Sequence, residues 1–254
     1  MDMFSIGDEK MDNREIASKL TKILGLKNQP IAVKLIKNED LPEGLPTEPE
    51  TKMRYCQLVM EAKKGRAATL TRDSISCPAA AAAFGLLPLP EKISKGTMLK
   101  ALGLFESEGA AAELMAKMPR LPLGVYKAVA AAPLSEAGFT PDVVVLEEEP
   151  EKIMWISLAS LHEKGGRLSF DTSVFQACCV DATVEPYLRG DINASFGCYG
   201  CRDATDIDDG EGLIGIPYGK LPEILKALES LSLKAMPQVQ SKGVYHQFET
   251  TRRK

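Results

Sequence analysis

The residues best equipped for chemistry in this chain are its six cysteines: Cys56, Cys77, Cys178, Cys179, Cys198 and Cys201. Two of them form a Cys-x-x-Cys pair within Gly197-Cys198-Tyr199-Gly200-Cys201-Arg202. Glycine before the pair and glycine inside it tolerate positive φ, which lets thiols or N–H groups converge on one centre. Thiolates bind soft metals, and a close thiol pair also supports disulfide chemistry. Only two histidines are present, His162 and His246, so a His dyad or a His-rich zinc site is poorly supported.

Four readings of the cysteines follow. A buried thiol is often only a small apolar side chain, but that does not account for six together. A thioredoxin-like dithiol wants its motif to open a helix after a strand, and Asp203–Glu211 is acidic and turn-rich instead. Structural zinc usually shows two compact pairs, and only one is present. An iron–sulfur cluster takes four thiolates from scattered positions once the fold gathers them. The first expectation is therefore a [4Fe–4S] cluster held by Cys56, Cys77, Cys178 or Cys179, and Cys198, with Cys201 as an alternate thiol. Arg202 is expected beside it, where a guanidinium offsets cluster charge, in competition with an ion pair to Asp206, Asp208 or Asp209. The alternative is a zinc- or ligand-binding module with structural cysteines and no redox role.

The elements that must position these thiols read as strands alternating with helices. Strand patterns cover Pro30–Ile36, Arg66–Thr71, Val125–Ala131, Asp142–Leu146, Arg167–Phe170, Asp191–Phe196 and Leu213–Ile216. Helical patterns cover Asp12 to about Leu26, Met53–Lys64, Lys92–Ala101, Gly109–Met118, Ile153–Glu163, Phe175–Leu188 and Leu221–Leu231. Leu41–Glu50 is a loop, and the tail after Pro237 has no clear period. Pro78 suits the first turn of an alanine-rich helix and places Cys77 at its N-terminus, where the dipole favours a thiolate. The acidic run Glu147–Glu151 reads as a solvated helix start and not as a metal site. The turn at Asp206 is not an EF-hand loop, because Gly210 falls on a ligand position. No phosphate-binding glycine loop and no nucleophile elbow are found.

Composition narrows the class. With 44% hydrophobic and 26% charged residues, the chain is globular. A net charge of -4 without a basic stripe excludes nucleic acid as the main partner, and the terminal Arg252-Arg253-Lys254 does not change this. No stretch is long enough to span a membrane. Met1–Lys10 shows no secretory signal, so a cytoplasmic protein is expected, with cysteines kept as thiols or ligands. The partners in view are a redox partner or small molecule, and a second copy of the chain as a homodimer.

An internal repeat is also expected. Met53–Cys77 aligns without gaps on Met154–Cys178, matching Lys63/Lys164, Gly65/Gly166, Arg66/Arg167, Thr71/Thr172 and the terminal cysteines. The resulting expectation is an α/β fold in a single domain, 1–254. It has a mixed sheet with flanking helices, built from pseudo-repeat halves at roughly 28–120 and 121–235. Cys77 and Cys178 would face one site across a pseudo-two-fold axis.

Several markers also carry a resemblance: Pro30-Ile31-Ala32-Val33-Lys34, Cys56, Cys77 with Gly85-Leu86, the Gly197–Arg202 loop, and Gly215-Ile216-Pro217-Tyr218. Together they resemble the domain-of-unknown-function 169 family of archaea and anaerobic bacteria, over roughly Ile16 to Leu231. The resemblance brings no established reaction. It implies an anaerobe's cytosol with cysteines as the distinguishing feature, which fits an oxygen-sensitive cluster.

Overall fold

The computed structural model describes residues 11–40 and 42–252. The readings of Met1–Lys10, Leu41, Arg253 and Lys254 lie outside the described residues. In chain order the elements begin with α1 (Asn13–Leu24), β1 (Ile31–Lys37), α2 (Tyr55–Lys63), β2 (Ala68–Thr71) and α3 (Pro78–Ala83). They continue with α4 (Glu91–Ser94), α5 (Thr97–Ala101), α6 (Glu108–Lys117), β3 (Tyr126–Pro133), β4 (Val143–Glu148) and α7 (Pro150–Leu161). After a π-helix (Ala177–Val184) come α8 (Glu185–Arg189), β5 (Asn193–Ser195), α9 (Tyr199–Ala204) and β6 (Gly212–Pro217). The chain ends in α10 (Leu221–Leu233), α11 (Ala235–Gln240) and α12 (Gly243–Arg252).

The expected α/β class with helices flanking one sheet holds. The six strands lie in the order β2–β3–β1–β4–β6–β5 and every pair is antiparallel, so the sheet is not mixed. Side chains alternate across the pleat. Ile31, Val33, Leu35, Val143 and Val145 join α2, α3 and the π-helix on one face. Ala32, Ile36, Val144, Leu146 and Ile214 join α1, α7 and α10 on the other. The cysteines belong to the first face. Among the described residues no helix is long and apolar enough to cross a membrane.

The sheet halves match strand for strand. Ile31 opposes Pro133 as Val143 opposes Pro217, and Ala68 opposes Ala131 as Asn193 opposes Gly215. At the centre, Ile31 faces Val145 and Val33 faces Val143. The structure does not show the repeat expected from the sequence. Residues 167–170 form no strand, and α2 and α7 pack on opposite faces of the sheet. Cys77 caps α3, whereas Cys178 lies inside the π-helix. By position in the sheet, the counterpart of Cys77 is Cys198: β2 leads to one and β5 to the other, and each caps a six-residue helix.

The acidic run is also corrected. Helix α7 begins only at Pro150, so Glu147 and Glu148 complete β4 and are buried. Lys63 pairs with Glu147 and, at 3.0 Å, with Asp206; Lys152 pairs with Glu148 at 2.8 Å. Burial pushes the Glu147 carboxyl up. Burial alone would lower Lys63, but its bonds to Glu147 and Asp206 win and hold it above its ordinary value. Charges inside a fold persist when paired in this way. The segment after Pro237 forms α11 and α12, and no residue of α12 is buried.

Candidate metal centre

Four parts of the chain deliver thiols to one place. The segments before Cys56 and Cys77 are stitched together by a short parallel bridge between Met53 and Ile75. In it, Met53 N–H donates to the Ser74 carbonyl at 3.1 Å and Ser76 N–H to the Met53 carbonyl at 2.9 Å. Tyr55 is driven into the core and packs edge-on against Phe84 with ring centroids 4.7 Å apart, which fixes the first turn of α2 and Cys56 with it. Cys77 caps α3 with Pro78 behind it, as expected from the sequence.

The expected helix at Phe175–Leu188 is instead a π-helix running into α8. Val174 and Gln176 before it hold positive φ, at 50° and 56°, although neither is glycine. Such conformations and π-turns are costly and gather at functional sites. They place Cys178 and Cys179, both buried, in the first turn. Close approach to the sheet requires Gly215: a Cβ there would stand 2.0 Å from the Ala182 carbonyl oxygen. The Thr183 hydroxyl donates to the Cys178 carbonyl at 2.9 Å. The Tyr55 hydroxyl therefore donates to Thr183 Oγ1, also at 2.9 Å, tying α2 to the π-helix.

Gly197, at φ +81°, turns the chain from β5 into α9. Here the structure corrects the sequence reading, because Cys198-x-x-Cys201 does open a helix after a strand. The two Sγ atoms are 3.3 Å apart. Gln57 Nε2 donates to the Ala204 carbonyl at 3.3 Å and holds α9 against α2.

The result is a small cavity of about 60 Å³ lined by Cys56, Cys77, Cys178, Cys179, Cys201 and Gln176, together with Arg54, Tyr55, Ala80 and Gly200. Cys198 reaches it through Cys201. The Cys178 and Cys198 thiols are both pushed up by their hydrogen bonds with Cys201 and then by burial. Burial does the same to Cys179. These thiols keep their protons unless a cation replaces them. Their mutual hydrogen bonds separate convergence from coordination. Among the described residues, no three Cys, His, Asp or Glu side chains already stand as a metal-binding group. All six cysteines are free.

Several placements differ from the sequence reading. Cys178 and Cys179 both line the cavity. Cys201, expected as an alternate, lines the cavity itself, with its Sγ 3.3 Å from that of Cys198. Arg202 is not in the cavity lining, and it makes none of the expected aspartate pairs. Its guanidinium donates to the carbonyls of Phe196, Asp208 and Glu211 at 2.7–3.0 Å and ties the loop behind Cys198. Asp206 pairs with Lys63 and Lys64 instead. Gln176, Tyr55 and Thr183 were missed. Only their polar groups in otherwise apolar surroundings hinted at them. An unpartnered buried acceptor such as Gln176 Oε1 costs about 1–3 kcal/mol.

Residues 19–227 match the family model of the uncharacterised ArCR proteins, domain of unknown function 169. The chain is 35% identical over 219 residues to the uncharacterized protein MJ0308 of Methanocaldococcus jannaschii, covering 85% of this chain and 93% of that one. No solved structure matches it. The chain belongs to the domain-of-unknown-function 169 family.

Proposed function

We propose that the six cysteines form one soft-metal centre, and that its occupant is an iron–sulfur cluster, [4Fe–4S] by preference. The observation that carries this reading is the convergence of thiols from α2, α3, the π-helix and α9 on one cavity. The donor set fits: among groups able to bind a soft metal it offers chiefly sulfur, with no carboxylate and no imidazole, and the Arg54 guanidinium in the lining suits a negatively charged occupant. Four thiolates satisfy such a cluster, which leaves two of the six to exchange or to hydrogen-bond. When bound, it supplies one-electron transfer or a Lewis-acidic iron. The chain's own part is to hold the thiols at fixed positions through Tyr55, Thr183 and Gln57, with Cys178, Cys179, Cys198 and Cys201 buried and Cys56 and Cys77 half-buried at the cavity's edge. Cytoplasmic residence belongs to the same proposal, since unpaired buried thiols suit a reducing compartment. So does a small-molecule or protein redox partner.

A second reading rests on the Cys198–Cys201 approach of 3.3 Å at the start of α9, a geometry suited to dithiol chemistry without metal. A four-thiolate zinc site is the non-redox alternative. Anaerobic purification and a visible spectrum separate them. A brown protein with broad absorption that bleaches on reduction is expected. Colourless protein with zinc, or with no metal and a reducible disulfide, overturns the iron–sulfur reading.

A further inference from the structure

A second cavity, of about 400 Å³, is lined by residues of α6, the π-helix and α8 and by the segment before the π-helix. That is an ordinary size for a small-molecule site. Phe105, Leu114, Met118 and Val180 make part of its wall apolar. Asp171, Asp181 and Glu185 make the rest acidic. Glu113 and Lys117 line it too, but they pair with each other at 2.9 Å.

Bases do not match these acids. Glu185 is 6% exposed, and only its Oε1 has a partner, a long contact from Arg189 at 3.4 Å. Oε2 accepts no hydrogen bond, yet it is not sealed from water, as the two unpartnered atoms Arg120 Nε and Gln176 Oε1 are. It therefore meets open space, and the open space that Glu185 lines is this cavity. Burial and then the Asp171 charge raise the Glu185 carboxyl, and Arg189 does not cancel them. Among the described residues Asp171 and Asp181 pair with no base; the Thr172 and Ser195 hydroxyls donate to Asp181 Oδ2 at 2.7 and 2.8 Å. A carboxylate so placed lacks a counter-charge. A hard metal ion wants oxygen on all sides, whereas hydrocarbon faces these acids. Carboxylates beside hydrocarbon suit a cation that carries an apolar body.

We propose that this cavity binds an organic cation, a primary ammonium on an apolar body, with the ammonium at Glu185 and Asp171 and the body against Phe105, Leu114 and Met118. An ammonium brings three donors, enough for Glu185 Oε2 and for Asp171 beside it. The π-helix is a wall shared by both cavities: Cys178 and Cys179 line one, Val180 and Asp181 the other. Nothing in the cation site depends on the thiolate reading.

Calorimetric titration of the full chain, kept reduced and near neutral pH, compares 2-phenylethylammonium with 2-phenylethanol and with 3-phenylpropionate. The three probes carry the same ring with positive, no and negative charge. The ammonium is expected to bind about ten-fold more tightly than the alcohol or better, and the carboxylate not at all. Asp171→Asn, at an exposed position, and Glu185→Gln should each weaken the ammonium by about five-fold or more and leave the alcohol within about two-fold. An alcohol that binds as tightly as the ammonium overturns the proposal. So does an unaltered protein that takes up no ammonium at millimolar concentration, and neither result needs a folded variant. Unchanged ammonium affinity in either variant also overturns it, because the cation would then sit elsewhere.

Discussion

Cys77 and Cys198 occupy corresponding slots in the two halves of the sheet, yet their surroundings diverge. Each follows the outer strand of its half and caps a six-residue helix. After Cys77 come Pro78 and five alanines, the alanines all buried, and no second thiol. After Cys198 come Tyr199, Gly200, Cys201 and Arg202. The strands behind them differ at one matched position. Ala131 of β3 stands two residues before Pro133, and Gly215 of β6 two residues before Pro217. Only the glycine lets the Ala182 carbonyl approach to where a Cβ would sit. One half thus supplies two thiols, Cys56 on α2 and the capping Cys77. The other admits a π-helix and supplies four. The thiol cavity is built by breaking the correspondence between the halves, not by preserving it.

That comparison can be broken most severely at Gly215. Gly215→Ala is expected to cost roughly 3 kcal/mol or more, because the obstacle is backbone and cannot swing aside. Ala131→Gly in the matching position should cost only about 1 kcal/mol. Chemical denaturation of both variants checks this, and equal losses would show that the π-helix does not depend on close seating.

Next in size is the thiol that only the second half has. Cys201 lines the cavity and Cys198 reaches it through the 3.3 Å contact with Cys201, so Cys201→Ala should weaken metal binding by about 100-fold or more, as much as Cys198→Ala or Cys77→Ala. Competition against a chelator of known affinity measures it. A variant that binds within a few-fold of the unaltered protein would return Cys201 to a spare role.

Tyr55→Phe should be milder. It removes the donor to Thr183 Oγ1, at a cost of about 1 kcal/mol, while Thr183 still holds the Cys178 carbonyl. A melting curve showing no loss would mean that this bridge between the first-half helix α2 and the π-helix contributes nothing.

The smallest effect concerns Asp206, which anchors the end of α9 to Lys63 and Lys64. Burial alone would raise its carboxyl, but the two lysines outweigh burial and hold it below its ordinary value. A depressed carboxyl gives stability that is present above its unfolded value, near pH 4, and lost as pH falls through the folded one. Asp206→Asn should therefore be less stable at neutral pH, with the difference vanishing in acid. A difference that persists below about pH 2 would mean that the side chain acts by packing and not by charge.

The sheet was legible because its strands are short apolar runs bounded by turn residues. β1, β3, β4 and β6 lie within about two residues of their expected bounds. The cysteine-capped α3 was legible from Cys77-Pro78. The π-helix was not, since nothing in Val174 or Gln176 announces positive φ. Glu147 and Glu148 read as solvated because their lysine partners are invisible to local pattern: Lys63 is far away in sequence, and Lys152 pairs only once α7 turns. The helix after Cys198 hid behind the acids of Asp203–Glu211, for it ends at Ala204 before most of them begin. That the cysteines were the residues to follow was legible from residue type alone. Their mutual arrangement was not, because it depends on the offset between halves that Gly215 permits.

Iron and acid-labile sulfide, assayed on anaerobically reconstituted protein alongside a count of free thiols, address the shared thiolate centre most directly. About four iron and four sulfide per chain, with no more than two of the six thiols reactive, are expected. Six reactive thiols and no retained metal would contradict it.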